Sequence, residues 1–395
     1  MELKFEEELL VIPGAESQLR LHRIADELSR RDIDAVLISD HANLFYVTGR
    51  IFCGWALVWA DGSAEYFVRR PSTLHGDGLH RIRKVEELPG CLSHRPARLG
   101  LELDLISWSA AERIRAAFGE GVEIDNASAA MRAVRSVKTA MQIDLMAESG
   151  IKQTMVYNGI AKLYREGMSD IELQIEIERS LRLHGCLGKF PVSGPDMEIF
   201  MANVLTGENA DVPSPYDFAM GGAGLHPSLP VGADGTIIKP HNPVMVDANG
   251  NFTAYMTDMT RCFCLGEPPA EAVRLNTLSA DICRAVSEAA RPGTAAKDLY
   301  ELALGMATDA GAADYFMGHR YHAGFVGHGV GIEINEGPVL APRSRDIIQE
   351  GNTIALEPKF VVPGLGAVGV ENTYAVTADG PRLLTLSPQN IVQFD

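Results

Sequence analysis

Four carboxylates of the 395-residue chain sit in apolar, strand-like surroundings. A buried acid needs a cation, a hydrogen-bond cage or a proton. Asp247 ends the run Val244-Met245-Val246, and Asp258 is followed at every second position by Thr260, Cys262 and Cys264. Glu357 lies in the strand-like stretch 353–360 and Glu371 in 367–374, while His328 stands among glycines in 318–338. Four acids cannot share a buried space while ionised unless cations are present. One imidazole and four carboxylates form a hard-to-borderline donor set. It suits two divalent ions such as Mn, Fe(II), Co or Zn bridged by carboxylates, whose chemistry is water activation and carbonyl polarisation. The alternative, each acid at a strand end facing water, serves well for one acid and poorly for four in two matched hairpins.

The elements that must position these groups are legible as two hairpins. One spans 243–265 and turns at Asn249-Gly250-Asn251, an Asn-Gly signal. The other joins 353–360 to 367–374 through Pro363-Gly364-Leu365-Gly366. Their likeness suggests an internal duplication with approximate two-fold symmetry. A helix is expected over about 140–166. A second starts at Ser169, whose capping box is completed by Glu172, and reaches His184. Two more are expected near 268–290 and 295–311. Residues 186–235 and 318–338 read as irregular, Gly- and Pro-rich loops of functional length. Ahead of these lies an α/β unit: a helix at 15–31, a strand at 35–39, a hairpin at 57–60 and 64–68, a strand at 98–102 and a helix near 107–118. Tyr46, Phe52 and Trp55 fall in a loop-like stretch and are read as packing residues. No glycine-rich phosphate loop is present. The composition shift at 129–146 places the domain boundary between 133 and 134.

The net charge of −17 excludes nucleic acid or an anionic membrane as partner. Six scattered cysteines without a CxxC pair read as buried thiols of a reducing compartment. The N-terminal stretch MELKFEEELLVIPG is acidic, with no signal-peptide pattern, and no run is long enough to span a membrane. A cytoplasmic protein is the expectation.

The order Asp, Asp, His, Glu, Glu and its flanking words resemble one family. VDANGNFTAYMTDMTR, GHGVGIEINE, ALEPKF and GVENTYAVT are similar to the metal-binding motifs of the aminopeptidase P / prolidase / methionine aminopeptidase superfamily. The resemblance covers nearly the whole chain. It implies an α/β (α+β) protein: residues 134–395 as a pita-bread catalytic domain with pseudo-two-fold symmetry, and 1–133 as a smaller creatinase-type N-terminal domain. It implies two divalent ions, manganese foremost and cobalt, iron or zinc as alternatives, held by Asp247, Asp258, His328, Glu357 and Glu371. The ions would hold a hydroxide that attacks a small peptide amide, with Glu357 taking and returning its proton. A homodimer is implied by the resemblance alone. By strand parity, Thr260 would support Asp258 and Thr373 would support Glu371.

The pattern also breaks. The family's Xaa-Pro peptidases place substrate histidines around the metals, where this chain has Pro230, Gly324 and Asn335, and it has Gly369 where an arginine stands. Each loss removes a donor that matters by a few kcal/mol. His322 and Asn335 are the expected substitutes, and His226 and Asn249 are also considered. The same fold hosts a metal-free creatine amidinohydrolase, an ectoine ring-opening hydrolase and a sulfoniopropionate lyase. The complete ligand set argues against the metal-free type. The expected activity is therefore Xaa-Pro dipeptidase or aminopeptidase, with a metal-dependent small-molecule hydrolase or lyase as the alternative.

Overall fold

The computed structural model describes residues 7–193, 199–218 and 221–395. Parts of the N-terminal reading (1–6) and of the expected 186–235 loop (194–198, 219–220) lie outside the described residues. The chain divides into two compact units, Met1–Arg135 and Ser136–Asp395. Among the described residues no helix is long and apolar enough to cross a membrane.

The first unit is built on one mixed sheet, in the order Leu79–Arg81, Ala64–Arg70, Cys53–Trp59, Ala35–Ile38, Arg98–Leu101, Glu123–Asn126. Strand alternation sends Ala35, Leu37, Leu57, Trp59, Phe67, Leu99 and Leu101 into one core with Ile114 and Phe118 of the helix Trp108–Phe118. The loop expected around Tyr46 is instead a helix, His41–Thr48. Asp40 caps it by accepting from the Asn43 amide at 3.1 Å, and Gly49 ends it at φ +74. Six of its eight residues are buried, so it carries no one-sided apolar stripe for periodicity to detect. Trp55 belongs to the strand Cys53–Trp59.

In the second unit, the strand Pro243–Ala248 pairs antiparallel with Thr260–Cys264 on one side and with Ala202–Thr206 on the other. The last of these lies within the segment read as an irregular loop. Only five residues long, it was masked by the Gly- and Pro-rich sequence around it. Val244 and Val246 point to a core with Tyr157, Leu173 and Ile177 of the helices Ala140–Tyr157 and Asp170–Leu183. Met245 and Cys262 point the other way, to a core with Leu275, Ile282 and Leu299 of the helices Ala270–Ala289 and Ala296–Asp309. The first helix ends at Tyr157, short of the expected 166, and the Ser169–Glu172 capping box is present.

The turn expected at Asn249-Gly250-Asn251 is not a turn. Gly250–Asn251 is a short strand paired with Met256–Thr257, and the chain reverses between them. A Cβ at Gly250 would lie 2.7 Å from Thr257 Oγ1 and 2.8 Å from Gln153 Oε1. Glycine is needed there for close approach, and that requirement imitates a turn signal. A second, five-stranded antiparallel sheet runs Glu336–Leu340, Gly327–Gly329, Thr353–Leu356, Asn372–Thr377, Gly380–Leu383. His328 thus sits on a strand, not in a loop. The expected long strands 353–360 and 367–374 each break at the acid they carry. Beyond the breaks, Lys359–Val362 and Gly366–Gly369 form a separate two-stranded ribbon.

Candidate metal centre

The sheet registers bring the five candidate residues to one place. Asp247 and Thr260 are opposite each other on neighbouring strands, on the face shared by Met245 and Cys262. Glu357 and Glu371 stand at the two strand breaks, and His328 lies on the strand between Glu336–Leu340 and Thr353–Leu356. Their donor atoms fall into two groups, each closing within 4.8 Å: Asp258, His328 and Glu371, and Asp247, Glu357 and Glu371. Glu371 belongs to both. All five line a cavity of about 290 Å³, the small end of the range for ligand sites. Its wall includes Phe200, Phe218, Phe325, Ile334 and Val339.

Two threonines tie the strands together crosswise, not along the strand as parity suggested. Thr260 Oγ1 donates to Glu371 Oε2 at 2.7 Å. Thr373 Oγ1 accepts from the Asp258 amide at 2.8 Å and donates to the Asp258 carbonyl at 2.9 Å. Asn249, with its amide nitrogen turned toward Asp258, donates to Oδ1 at 2.7 Å and Oδ2 at 3.2 Å. His328 Nδ1 lies 2.9 Å from the Gly329 carbonyl, which can only accept, so Nδ1 carries the proton. Nε2 faces acids, 3.4 Å from Glu357 Oε1 and 4.0 Å from Asp258 Oδ2. Burial works against a charge on the ring, but the hydrogen bond to Glu357 and the charges of Glu357 and Glu371 raise its pKa, so with no ion bound Nε2 carries a second proton toward Glu357.

One cation is already in place. Lys359, 1% exposed, puts Nζ 2.8 Å from Asp247 Oδ2, 2.8 Å from Glu357 Oε2 and 3.3 Å from Glu371 Oε2. Sequence reading passed over it, although a lysine two residues after Glu357 shares its strand parity. The ammonium divides the acids. Burial works to raise the Glu357 carboxyl, but Lys359 and His328 hold it down to about 2. Burial pushes Glu371 up to about 8, with Lys359 opposing and Glu357 and Asp247 adding. Burial and then the neighbouring Glu371, Asp247 and Glu357 lift Asp258 well above the usual carboxylate range. Burial disfavours the charge on Lys359, yet the three acids hold it firmly protonated.

The two raised acids, Asp258 and Glu371, are those grouped with His328. That group contains the mismatch a divalent ion would relieve. Glu371 Oε1 is buried with no hydrogen-bond partner, and His328 Nε2 points at the same acids and becomes a ligand atom once it gives up its proton. The residues therefore fit one ion here. The group Asp247, Glu357 and Glu371 already surrounds Lys359.

The expected substitutes for the missing histidines do not fill their role. His322 is exposed, with Nδ1 2.8 Å from the Phe316 carbonyl, and it does not line the cavity. The turn closed by the Ala323 amide on the Met317 carbonyl (2.8 Å) carries it there. Asn335 does line the cavity, but its amide braces the neighbouring chain. Oδ1 accepts from the Ser193 amide at 2.7 Å, and Nδ2 donates to the Ser193 carbonyl at 3.2 Å. His226 is exposed against Ser228. Pro230 is absent from the wall, where Val231 stands. Gly324 donates its amide to Asp217 Oδ1 at 3.2 Å, and Asp217 lines the cavity.

Residues 144–378 match the model of metallopeptidase family M24, and residues 20–137 match that of the creatinase/prolidase N-terminal domain. The Bacillus subtilis protein YkvY is 31% identical over 298 residues, covering 74% of this chain and 72% of that one. The Xaa-Pro dipeptidase of Pyrococcus horikoshii is 23% identical over 381 residues, covering 94% of this chain and 98% of that one. Among solved structures, the Xaa-Pro dipeptidase from Bacillus anthracis superposes with a TM-score of 0.78 at 21% identity, over 95% of this chain and 99% of that one. The mixed α/β architecture, the clustered acids with His328 and the match over more than half the sequence agree, and the chain belongs to metallopeptidase family M24.

Proposed function

We propose that the chain is a metal-dependent hydrolase cleaving the amide bond of a small Xaa-Pro peptide at the Glu371-centred cluster. The observation that carries this is the buried, unpartnered Glu371 Oε1 beside Asp258 and His328. These three residues would hold a divalent ion, which supplies Lewis acidity toward water and a scissile carbonyl. Lys359 keeps Glu357 ionised, the form able to take a proton from the attacking water and return it to the leaving amine. Asn249 steadies Asp258, and Thr260 steadies Glu371. The aromatic and aliphatic wall excludes water and accepts an apolar ring such as that of proline. Relatives named Xaa-Pro dipeptidase favour a peptide substrate over the ectoine- or sulfoniopropionate-type alternative. Manganese as the ion and a homodimer complete the proposal on the resemblance alone, and a cytoplasmic location on the N-terminal sequence and the lack of a long apolar run.

The test is a dipeptide panel, Gly-Pro and Ala-Pro beside ectoine, with chelator-treated protein before and after adding Mn or Co. Chelation is expected to abolish dipeptide hydrolysis and the metal to restore it. Metal-loaded protein inert on every Xaa-Pro peptide would rule the reading out. Thr260→Val removes one hydrogen bond to Glu371 and should weaken ion binding about 10- to 100-fold while leaving the fold intact. A metal titration followed by circular dichroism checks both halves of that expectation.

A further inference from the structure

We propose that Lys359 is the built-in second cation of this centre. The protein would carry one exchangeable divalent ion, with Asp258, His328 and Glu371. The Lys359 ammonium takes the place among Asp247, Glu357 and Glu371 that a second ion would need. The proposal rests on the reading that the centre binds metal at all.

The geometry is complete for an ammonium. Lys359 Nζ has three N–H donors and meets three carboxylates, at 2.8, 2.8 and 3.3 Å. Those are the three residues of the second candidate group. A divalent transition metal needs the same oxygens at about 2.0–2.2 Å, so it cannot enter while the ammonium is there. The lysine is 1% exposed and lines the cavity beside the acids it meets. Its main chain is pinned: Ser279 Oγ donates to the preceding Pro358 carbonyl at 2.5 Å, and the Lys359 carbonyl itself accepts from the Met317 amide at 2.8 Å.

The facing strand accommodates this placement. Gly369 is the direct antiparallel partner of Lys359. A Cβ at 369 would lie 2.9 Å from Lys359 Cα and 3.0 Å from its Cγ. The Pro358 carbonyl oxygen would lie 3.0 Å away as well, so glycine at 369 serves the close approach of the two backbones and leaves the start of the lysine stem uncrowded. Four ionised acids against one ammonium leave three negative charges, enough to hold a divalent ion beside the ammonium.

The full-length protein, stripped with chelator and dialysed against excess Mn(II), distinguishes the cases by metal count and electron paramagnetic resonance. One Mn per chain with an uncoupled six-line spectrum is expected for the wild type. Lys359→Gly should bind two, with a spin-coupled spectrum. Two ions or a coupled spectrum in the wild type overturns the proposal, as does a folded Lys359→Gly variant that still binds one. A count of zero in the wild type overturns the metal reading beneath it and is plainly different from a count of two. Should the variant not fold, the wild-type count and spectrum decide alone.

Discussion

Glu371→Gln is expected to lower Xaa-Pro dipeptide hydrolysis by about 10³-fold or more and to strip the bound ion, because groups acting as a unit fail together. Glu371 is the residue shared by both donor groups. One of its oxygens is held by Thr260 and Lys359, and the other has no partner. Glutamine preserves the shape but turns an N–H toward either the cation or the lysine, and it removes one negative charge. Steady-state rates on Ala-Pro, taken with metal content after reconstitution, measure both effects. A variant that keeps its metal and stays within tenfold of the wild-type rate would remove Glu371 from the centre. Circular dichroism separates this from unfolding, which an isosteric change in one side chain should not cause.

Arg261→Met is expected to destabilise the second unit by about 3–5 kcal/mol, since several buried acceptors lose their donor together. The guanidinium is 1% exposed. It donates to the carbonyls of Thr260 (2.8 Å), Glu371 (2.7 Å) and Ser387 (2.9 Å) and to Asn372 Oδ1 (2.8 Å). Its acceptors are neutral oxygens on three separate stretches of chain, so it works as a clamp between the strand carrying Thr260 and the break carrying Glu371. Burial lowers its pKa, with the nearby Tyr157, Cys283, Tyr374 and Glu371 opposing. Methionine matches the stem but leaves those carbonyls without a donor. The thermal midpoint of this unit should fall by roughly 10 °C. A midpoint within about 2 °C of wild type would show that water replaces the guanidinium without loss.

Much of the centre was legible before any coordinates. Acids in apolar strand contexts are expensive, so their sequence neighbourhoods mark them, and Asp247, Asp258, Glu357 and Glu371 stood out together with His328. The capping box at Ser169 and the helices after the first hairpin were also readable, since caps and one-sided apolar stripes are local signals. The helix His41–Thr48 and the strand Ala202–Thr206 were not. One is buried all round, and the other is short and set in glycine-rich surroundings.

Sequence by itself determined which residue types gather and that either cations or protons must accompany them, because four ionised carboxylates cannot otherwise share an apolar core. Tertiary structure decided the rest. It crossed the threonine supports, joining Thr260 to Glu371 and Thr373 to Asp258, because neighbouring strands, not neighbouring residues, face each other across a sheet. It turned His322 away from the cavity and bound Asn335 to Ser193. It placed the Lys359 ammonium among three acids, two of them distant in sequence. Local pattern records burial and periodicity along the chain. The count of charges inside one cavity depends on which distant strands the fold brings together.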